Sequence, residues 1–320
     1  MSMAGSVALV GPVVNPVDDL RRMLALHFMV NAFRAGTIVA VLAAVVGWFM
    51  VLRRQSFAGH TLAVVSFPGA AAAVWLGVSA TVGYFAGSIA AALVIALVPR
   101  SASGRPRSQE SAVIGTVQAF ALAGGALFVS LYGGFLDSIT GLLFGSFLGV
   151  SDGQVAALGV VALAVLAVLA LVGRPLLFST VDGDVAAARG VPVRALSVLF
   201  LVVLGCTAAE VSQITGALLV FALLVMPAAA AQQVTARPVV GLALAVVFGL
   251  IVVWVSLSVA FWSPWPVGFW VSTFGFALYV GAAGGRAALA YRRRTGVVGP
   301  TRAEGGHGTG PSLVPGTAGA

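Results

Sequence analysis

The sequence predicts an all-α protein, a polytopic transmembrane helical bundle of eight or nine spans. Three observations carry this. Of 320 residues, 60% are hydrophobic and only 8% are charged. Several uncharged runs reach the ~20 residues that a helix needs to cross a bilayer. The runs are continuously apolar instead of alternating, which argues against a β-barrel.

The remaining charge sits at the ends of the runs. The net charge is +8, and every basic residue is an arginine, because the chain contains no lysine. A Walker A loop grips phosphates with its lysine, so this chain is not a P-loop ATPase. The arginines fall in short loops between apolar runs, where they act as topology signals and not as a nucleic-acid patch. Cys206, the single cysteine, lies inside an apolar run and reads as a small buried residue.

Residues 1–16 lack the basic start of a cleaved signal peptide. Asn15-Pro16 followed by Asp18-Asp19 marks a helix start. Leu20, Met23, Leu24, His27 and Phe28 then repeat with a helical period. Residues 1–26 are therefore expected to hold an interfacial helix ahead of the spans. The spans themselves are predicted at 35–52, 57–78, 82–98, 112–132, 155–172, 193–211, 215–231, 239–262 and 268–291. Segment 133–153 is less regular. Its Gly141, Gly145, Gly149 and Gly153 recur at the spacing of close helix packing and suggest a partial or re-entrant helix. The transmembrane domain covers 27–294, and the Gly/Pro/Thr-rich residues 295–320 read as a disordered tail.

A polar island at 179–192 separates two of these runs, and a short helix is expected within it near 182–191. Asp184 stands in the first turn, Ala186 and Ala187 in an alanine run, and Arg189 in the last turn. Gly190 is the stop, and Pro192 bars continuation. Threading the spans alternately puts Arg53-Arg54, Arg100–Arg107, Arg174, Arg189, Arg237 and the Arg292 cluster on one side. The positive-inside rule makes that side cytoplasmic, and with it the island and the C-terminus. Trp262, Trp265 and Trp270 then form an outer interfacial belt. A cytoplasmic helix between two spans is a handle for a soluble partner; the plainer alternative is a loop that happens to be helical.

Ionisable groups inside spans cost several kcal/mol and are the default functional candidates. His60 opens the second span, and Pro68-Gly69 is expected to break it just over two turns later. Glu210, with Gln213, lies near the outer end of the run after the island, and Pro227 interrupts the next. The bland readings are a His60 satisfied by a backbone carbonyl and a Glu210 facing water at the interface. HExxH does not occur and the three histidines lie far apart in the chain, so no catalytic residue is assigned and the chain is not expected to be an enzyme. A proton-coupled secondary transporter would use His60 and Glu210 as its relay.

Four segments carry a family resemblance. They are Phe28-Met29-Val30-Asn31-Ala32-Phe33-Arg34-Ala35 before the first span, the stretch 53–69 with the spacing of RRxSLxGDAxSHxxxPG, residues 143–151 near LFGxxLxVS, and residues 216–229 near GxLLVxALLVxPAA. In this order, from Phe28 to Tyr291, the chain resembles the permease subunits of the bacterial zinc/manganese/iron ABC importers, which have a type II importer fold. The resemblance implies a homodimer or heterodimer of permeases in the bacterial cell (inner) membrane. An extracytoplasmic solute-binding protein would deliver a divalent metal ion, and a separate cytoplasmic ABC ATPase subunit would bind the ATP. The chain would hold no cofactor and no nucleic acid. Asp184, Ala186, Ala187, Arg189 and Gly190 would then form the coupling helix, and His60, Glu210 and Gln213 would be pathway candidates.

The departure from the pattern falls on the metal position. The family has Asp and His four residues apart, on one helix face. Here those positions are His60 and Val64. An imidazole replaces the carboxylate, which disfavours manganese at His60 relative to a softer metal. It leaves a permease for a chelated metal or other small solute as the alternative.

Overall fold

The computed structural model describes residues 21–97, 108–131, 145, 147–217 and 219–295. Ten helices account for nearly all of them: α1 (His27–Leu52), α2 (Ser56–Trp75), α3 (Ala80–Leu97), α4 (Ser108–Leu131), α5 (Asp152–Val181), α6 (Gly183–Ala188), α7 (Val193–Thr215), α8 (Val220–Val234), α9 (Pro238–Trp262) and α10 (Val267–Thr295). No strand occurs among the described residues. Eight of the helices are long and apolar enough to cross a membrane. The other two are α6, with six residues, and α8, whose 15 residues rise only ~22 Å, short of a ~30 Å hydrocarbon core.

α1 is the axis of the bundle. It packs against α5, α7, α8 and α9, with Met29, Leu42 and Met50 fully buried. α2 packs most extensively on α3 and also meets α4 and α7. α4, α5 and α10 form the outer wall, with Phe120, Leu171 and Leu163 more than two-thirds exposed.

Small residues set the closest approaches, as expected where lipid removes any hydrophobic drive between helices. A Cβ at Gly47 of α1 would land on the carbonyl oxygen of Leu224 in α8. Gly69 of α2 meets Gly83 and Gly87 of α3 in the same way.

This packing corrects the expected helix breaks. α2 runs unbroken through Pro68, and α8 through Pro227. A proline costs its own helix one hydrogen bond, but neighbouring helices compensate it inside a membrane bundle. The Pro68 ring sits against Gly125 of α4, where a Cβ would come within 2.9 Å of it. Gly69 is thus a packing residue and not a hinge.

Other boundaries also moved. A turn at Ala25–Leu26 separates residues 21–24 from α1, so His27 and Phe28 belong to the long helix. α5 passes through Pro175 and ends at Val181, which makes Ser179 and Thr180 its last turn instead of loop. Its 30 residues span ~45 Å, more than a bilayer core, and carry α6 beyond the bundle. Most of segment 133–153 lies outside the described residues, as do the tail 296–320 and residues 1–20. The described part of 133–153 contains a 3-10 turn, Phe147–Gly149, packed on α1.

Candidate functional site

The bundle has two ends. At the island end, α1 finishes, α2 and α7 begin, and α5 runs into α6. Asp182 caps α6 by accepting from the Val185 N–H at 3.0 Å, and Asp184 occupies the first turn. Gly190 turns the chain at φ +82°, a conformation open to glycine. Ala186 is completely buried and seats the helix, whereas Asp184, Ala187, Arg189 and Gly190 are exposed. The predicted short helix is present, with one small residue inward and the rest of its length presented outward.

Arg53 braces this end. Its guanidinium donates to Thr180 Oγ1 at 3.0 Å, Ser197 Oγ at 2.9 Å and Gln55 Oε1 at 3.3 Å, and it lies over the Phe200 ring at 5.3 Å. One side chain therefore joins the ends of α1 and α5 to the starts of α2 and α7. A recess of about 420 Å³ lined by Leu52, Arg53, Arg54, Ser179 and Thr180 opens beside it. The sequence reading had given Arg53 only a topological role. Its partners are 127 and 144 residues away, and no local pattern discloses them.

His60 stands in the second turn of α2. Gly59 beside it leaves room for Met50 of α1, and the imidazole packs edge-on against Phe221 of α8, centroids 5.0 Å apart. Its Nδ1 is buried and has no hydrogen-bond partner. The backbone-satisfied histidine expected as the bland reading is not what forms at that nitrogen. Val64, one turn on, is buried.

Glu210 differs from its expected water-facing position: it is completely buried, and neither carboxylate oxygen has a partner. It lines a cleft of about 110 Å³ between α3, α5 and α7, with Thr81, Gln154 and Gln213 as the other polar walls. Thr81 Oγ1 donates to Gln213 Oε1 at 3.0 Å, which fixes the cleft at the end of the bundle opposite the island. Thr81 and Gln154 were not singled out from sequence, because each is an uncharged polar residue at the start of an apolar run. His60 and Glu210 are not brought together. His60, near the island end of α2, faces α8, whereas Glu210, near the opposite end of α7, faces α3 and α5. Among the described residues no cluster of three His, Cys, Asp or Glu exists, so any cation bound here would complete its shell with neutral oxygens and water.

The profile of the ABC 3 transport family matches residues 25–283. The chain belongs to that family. It is 30% identical over 230 residues to the manganese transport system membrane protein MntC of Halalkalibacterium halodurans, covering 72% of this chain and 77% of the relative. It is also 30% identical over 211 residues to the chelated iron transport system membrane protein YfeC of Yersinia pestis, covering 66% and 70%. Among solved structures, PsaBC from Streptococcus pneumoniae in complex with Fab superposes with a TM-score of 0.75 at 23% identity, over 86% of this chain and 99% of that one. An inward-facing putative metal-chelate type ABC transporter gives 0.65 at 18% identity, over 86% and 90%. The family match and the eight apolar helices together make this chain a multi-pass membrane protein with the fold of an ABC importer permease.

Proposed function

We propose that this chain is the membrane-spanning permease of an ATP-driven importer for a divalent metal ion of the zinc, manganese or iron class. The observation that carries the reading is α6, a capped helix held beyond the bundle by one buried alanine and otherwise facing outward. Because the chain has no lysine for a P-loop, ATP is bound by a separate cytoplasmic ATPase subunit, and α6 is the helix that docks on it. The island end and the C-terminus are then cytoplasmic, in agreement with the arginine distribution. An extracytoplasmic solute-binding protein delivers the metal to the opposite end. A homodimer or heterodimer of permeases in a bacterial cell membrane encloses the path. His60, with a free ring nitrogen, is the metal-contacting residue on α2.

A permease for a chelated metal is the second reading. It is favoured by the absence of a carboxylate at position 60 and by the relative named for chelated iron. The secondary-transporter reading is weakened, because its two relay residues, His60 and Glu210, lie toward opposite ends of the bundle.

The test is uptake of zinc, manganese and iron in a strain stripped of its own importers. The cells express this chain with the ATPase and binding protein encoded beside it. ATP-dependent uptake of a free metal is expected. Uptake that persists with a hydrolysis-dead ATPase overturns the proposal, and uptake only of the chelate selects the second reading.

A further inference from the structure

The recess beside Arg53 is the polar cavity that neither α6 nor His60 accounts for. It holds about 420 Å³ and is lined by Leu52, Arg53, Arg54, Ser179 and Thr180. Arg53 belongs to its wall, fixed by Gln55, Thr180 and Ser197. Arg54 is the cation that remains. It is exposed, and among the described residues it has no hydrogen-bond or ion-pair partner.

The turn that presents Arg54 is a helix stop usually built on glycine. The Arg54 N–H donates to the Val51 carbonyl and the Gln55 N–H to the Met50 carbonyl, each at 3.0 Å, a pair that closes the end of α1 as a Schellman motif. Position 54 in that motif takes a left-handed backbone. Arg54 has φ +58°, the one positive φ outside glycine among the described residues. Glycine adopts that conformation freely, whereas a side chain strains it. The turn itself calls for glycine at 54, so the arginine is there for a contact outside this chain.

Position and charge choose the occupant. The 26 residues of α1 rise ~39 Å and the 30 of α5 ~45 Å, both past a ~30 Å hydrocarbon core. The recess lies at those ends, and Thr180 on its wall is three residues from the start of α6. It is therefore continuous with the helix that faces outward. Its surroundings are basic: Arg54, Arg189 and Arg194 are exposed against Asp182 and Asp184, and Asp182 is engaged in capping α6. Leu52 is the single apolar lining residue, so an acyl chain finds little surface beside the charge. An acidic side chain on a soluble protein suits this lining better than a lipid does.

We propose that the Arg54 recess receives an aspartate or glutamate side chain of the ATPase subunit, which is thereby held at two points, α6 and Arg54. A guanidinium and a carboxylate pair through two parallel hydrogen bonds, and a recess strengthens the pair relative to one in open water. The second contact fixes the angle of the ATPase about α6, because one short helix alone leaves rotation free. The identity of the partner rests on the permease reading.

The test is binding of the ATPase subunit encoded beside this chain to the full chain in nanodiscs of neutral phosphatidylcholine, at low and at high salt. The parent is expected to bind, and more weakly as salt rises. Arg54→Gly keeps the turn, so its thermal midpoint should equal or exceed the parent's. It should nonetheless weaken binding by at least about tenfold, with a smaller salt dependence. Arg54→Lys should fall between the two. Arg54→Glu should abolish binding, and a single Asp→Arg or Glu→Arg exchange on the ATPase surface should restore it. Parent-level binding by Arg54→Gly overturns the recess and leaves the permease reading standing. Failure of every exposed acid of the ATPase to rescue Arg54→Glu overturns the carboxylate. An Arg54→Gly defect that appears only when anionic lipid is added to the nanodiscs assigns the recess to a lipid phosphate and overturns the proposal. A parent that binds no ATPase at either salt concentration overturns the permease reading, and this inference with it.

Discussion

The Arg53 guanidinium donates to the Thr180 hydroxyl across 3.0 Å, tying the end of α1 to the last turn of α5. Thr180 precedes α6 by three residues, and Arg53 precedes the start of α2 by three. One side chain therefore connects the helix that leads into α6 to the start of the helix that carries His60. Ser197, bonded to the same guanidinium, extends the link to α7.

Removing this brace should separate ATP hydrolysis from uptake. Arg53→Ala forfeits hydrogen bonds from a charged group, a loss of about 1–3 kcal/mol, and should lower the thermal midpoint while leaving membrane insertion intact. In the assembled transporter, ATPase activity should persist while uptake per ATP falls. Arg53→Lys keeps the charge but not the fork geometry, and should recover only part of the loss. Equal uptake per ATP in Arg53→Ala and the parent would show that the brace is structural.

The outward face of α6 gives a second prediction. Ala187→Asp adds a charge to an exposed position and costs the isolated chain little. It should nonetheless abolish co-purification with the ATPase subunit, because an unpaired carboxylate enters a closed contact. Ala186→Asp, at a completely buried position, should instead lower the amount of folded protein. If Ala187→Asp retains both the ATPase and uptake, α6 is a loop that happens to be helical.

Much of this architecture was legible in the sequence because lipid imposes a simple rule: apolar runs become helices, and charge marks their ends. The island helix was readable from Asp184, the alanine run and Gly190. What misled was proline. Pro68 and Pro227 read as breaks because the sequence shows the lost N–H and not the helix that packs over it. Glu210 misled for the opposite reason. Its position along α7 suggests the interface, and only the folding of α3 and α5 over it removes the water. His60 stood out because it is a rare residue in an apolar run, and Arg53 was undervalued because its partners Thr180 and Ser197 are distant.

Close packing supplies a third prediction. Gly47 faces the Leu224 carbonyl with no room for a methyl group. Gly47→Ala gains helix propensity of up to ~1 kcal/mol but should still destabilise, since overpacking costs about 1–3 kcal/mol and the obstacle is backbone. Gly115→Ala on α4, where no atom lies within 4 Å of the added carbon, should be neutral or stabilising. Thermal unfolding of the two variants in detergent checks the sign. A Gly47→Ala chain as stable as the parent would mean that α1 and α8 sit farther apart than described.

The last prediction concerns His60. Its Nδ1 is buried without a partner, its ring is held by Phe221, and it occupies the position where the resembling family has a carboxylate. Val64, where the family has its histidine, offers no second ligand, so the shell must be filled by water, backbone oxygens or the second permease copy. On the proposed metal role the neutral imidazole would be the binding form, and because His60 lies toward the cytoplasmic end, uptake should decline as cytoplasmic pH is lowered and the ring protonates. His60→Ala should eliminate uptake at unchanged membrane abundance. His60→Asp, which restores the family's carboxylate, should retain uptake and shift it from zinc toward manganese, because oxygen ligands favour the harder ion. Phe221→Leu frees the ring without touching its nitrogens and should weaken uptake less than His60→Ala does. The measurement is zinc and manganese accumulation by these variants in the importer-deficient strain. Parent-level uptake of both metals by His60→Ala would make the imidazole a packing residue and remove α2 from the metal's path.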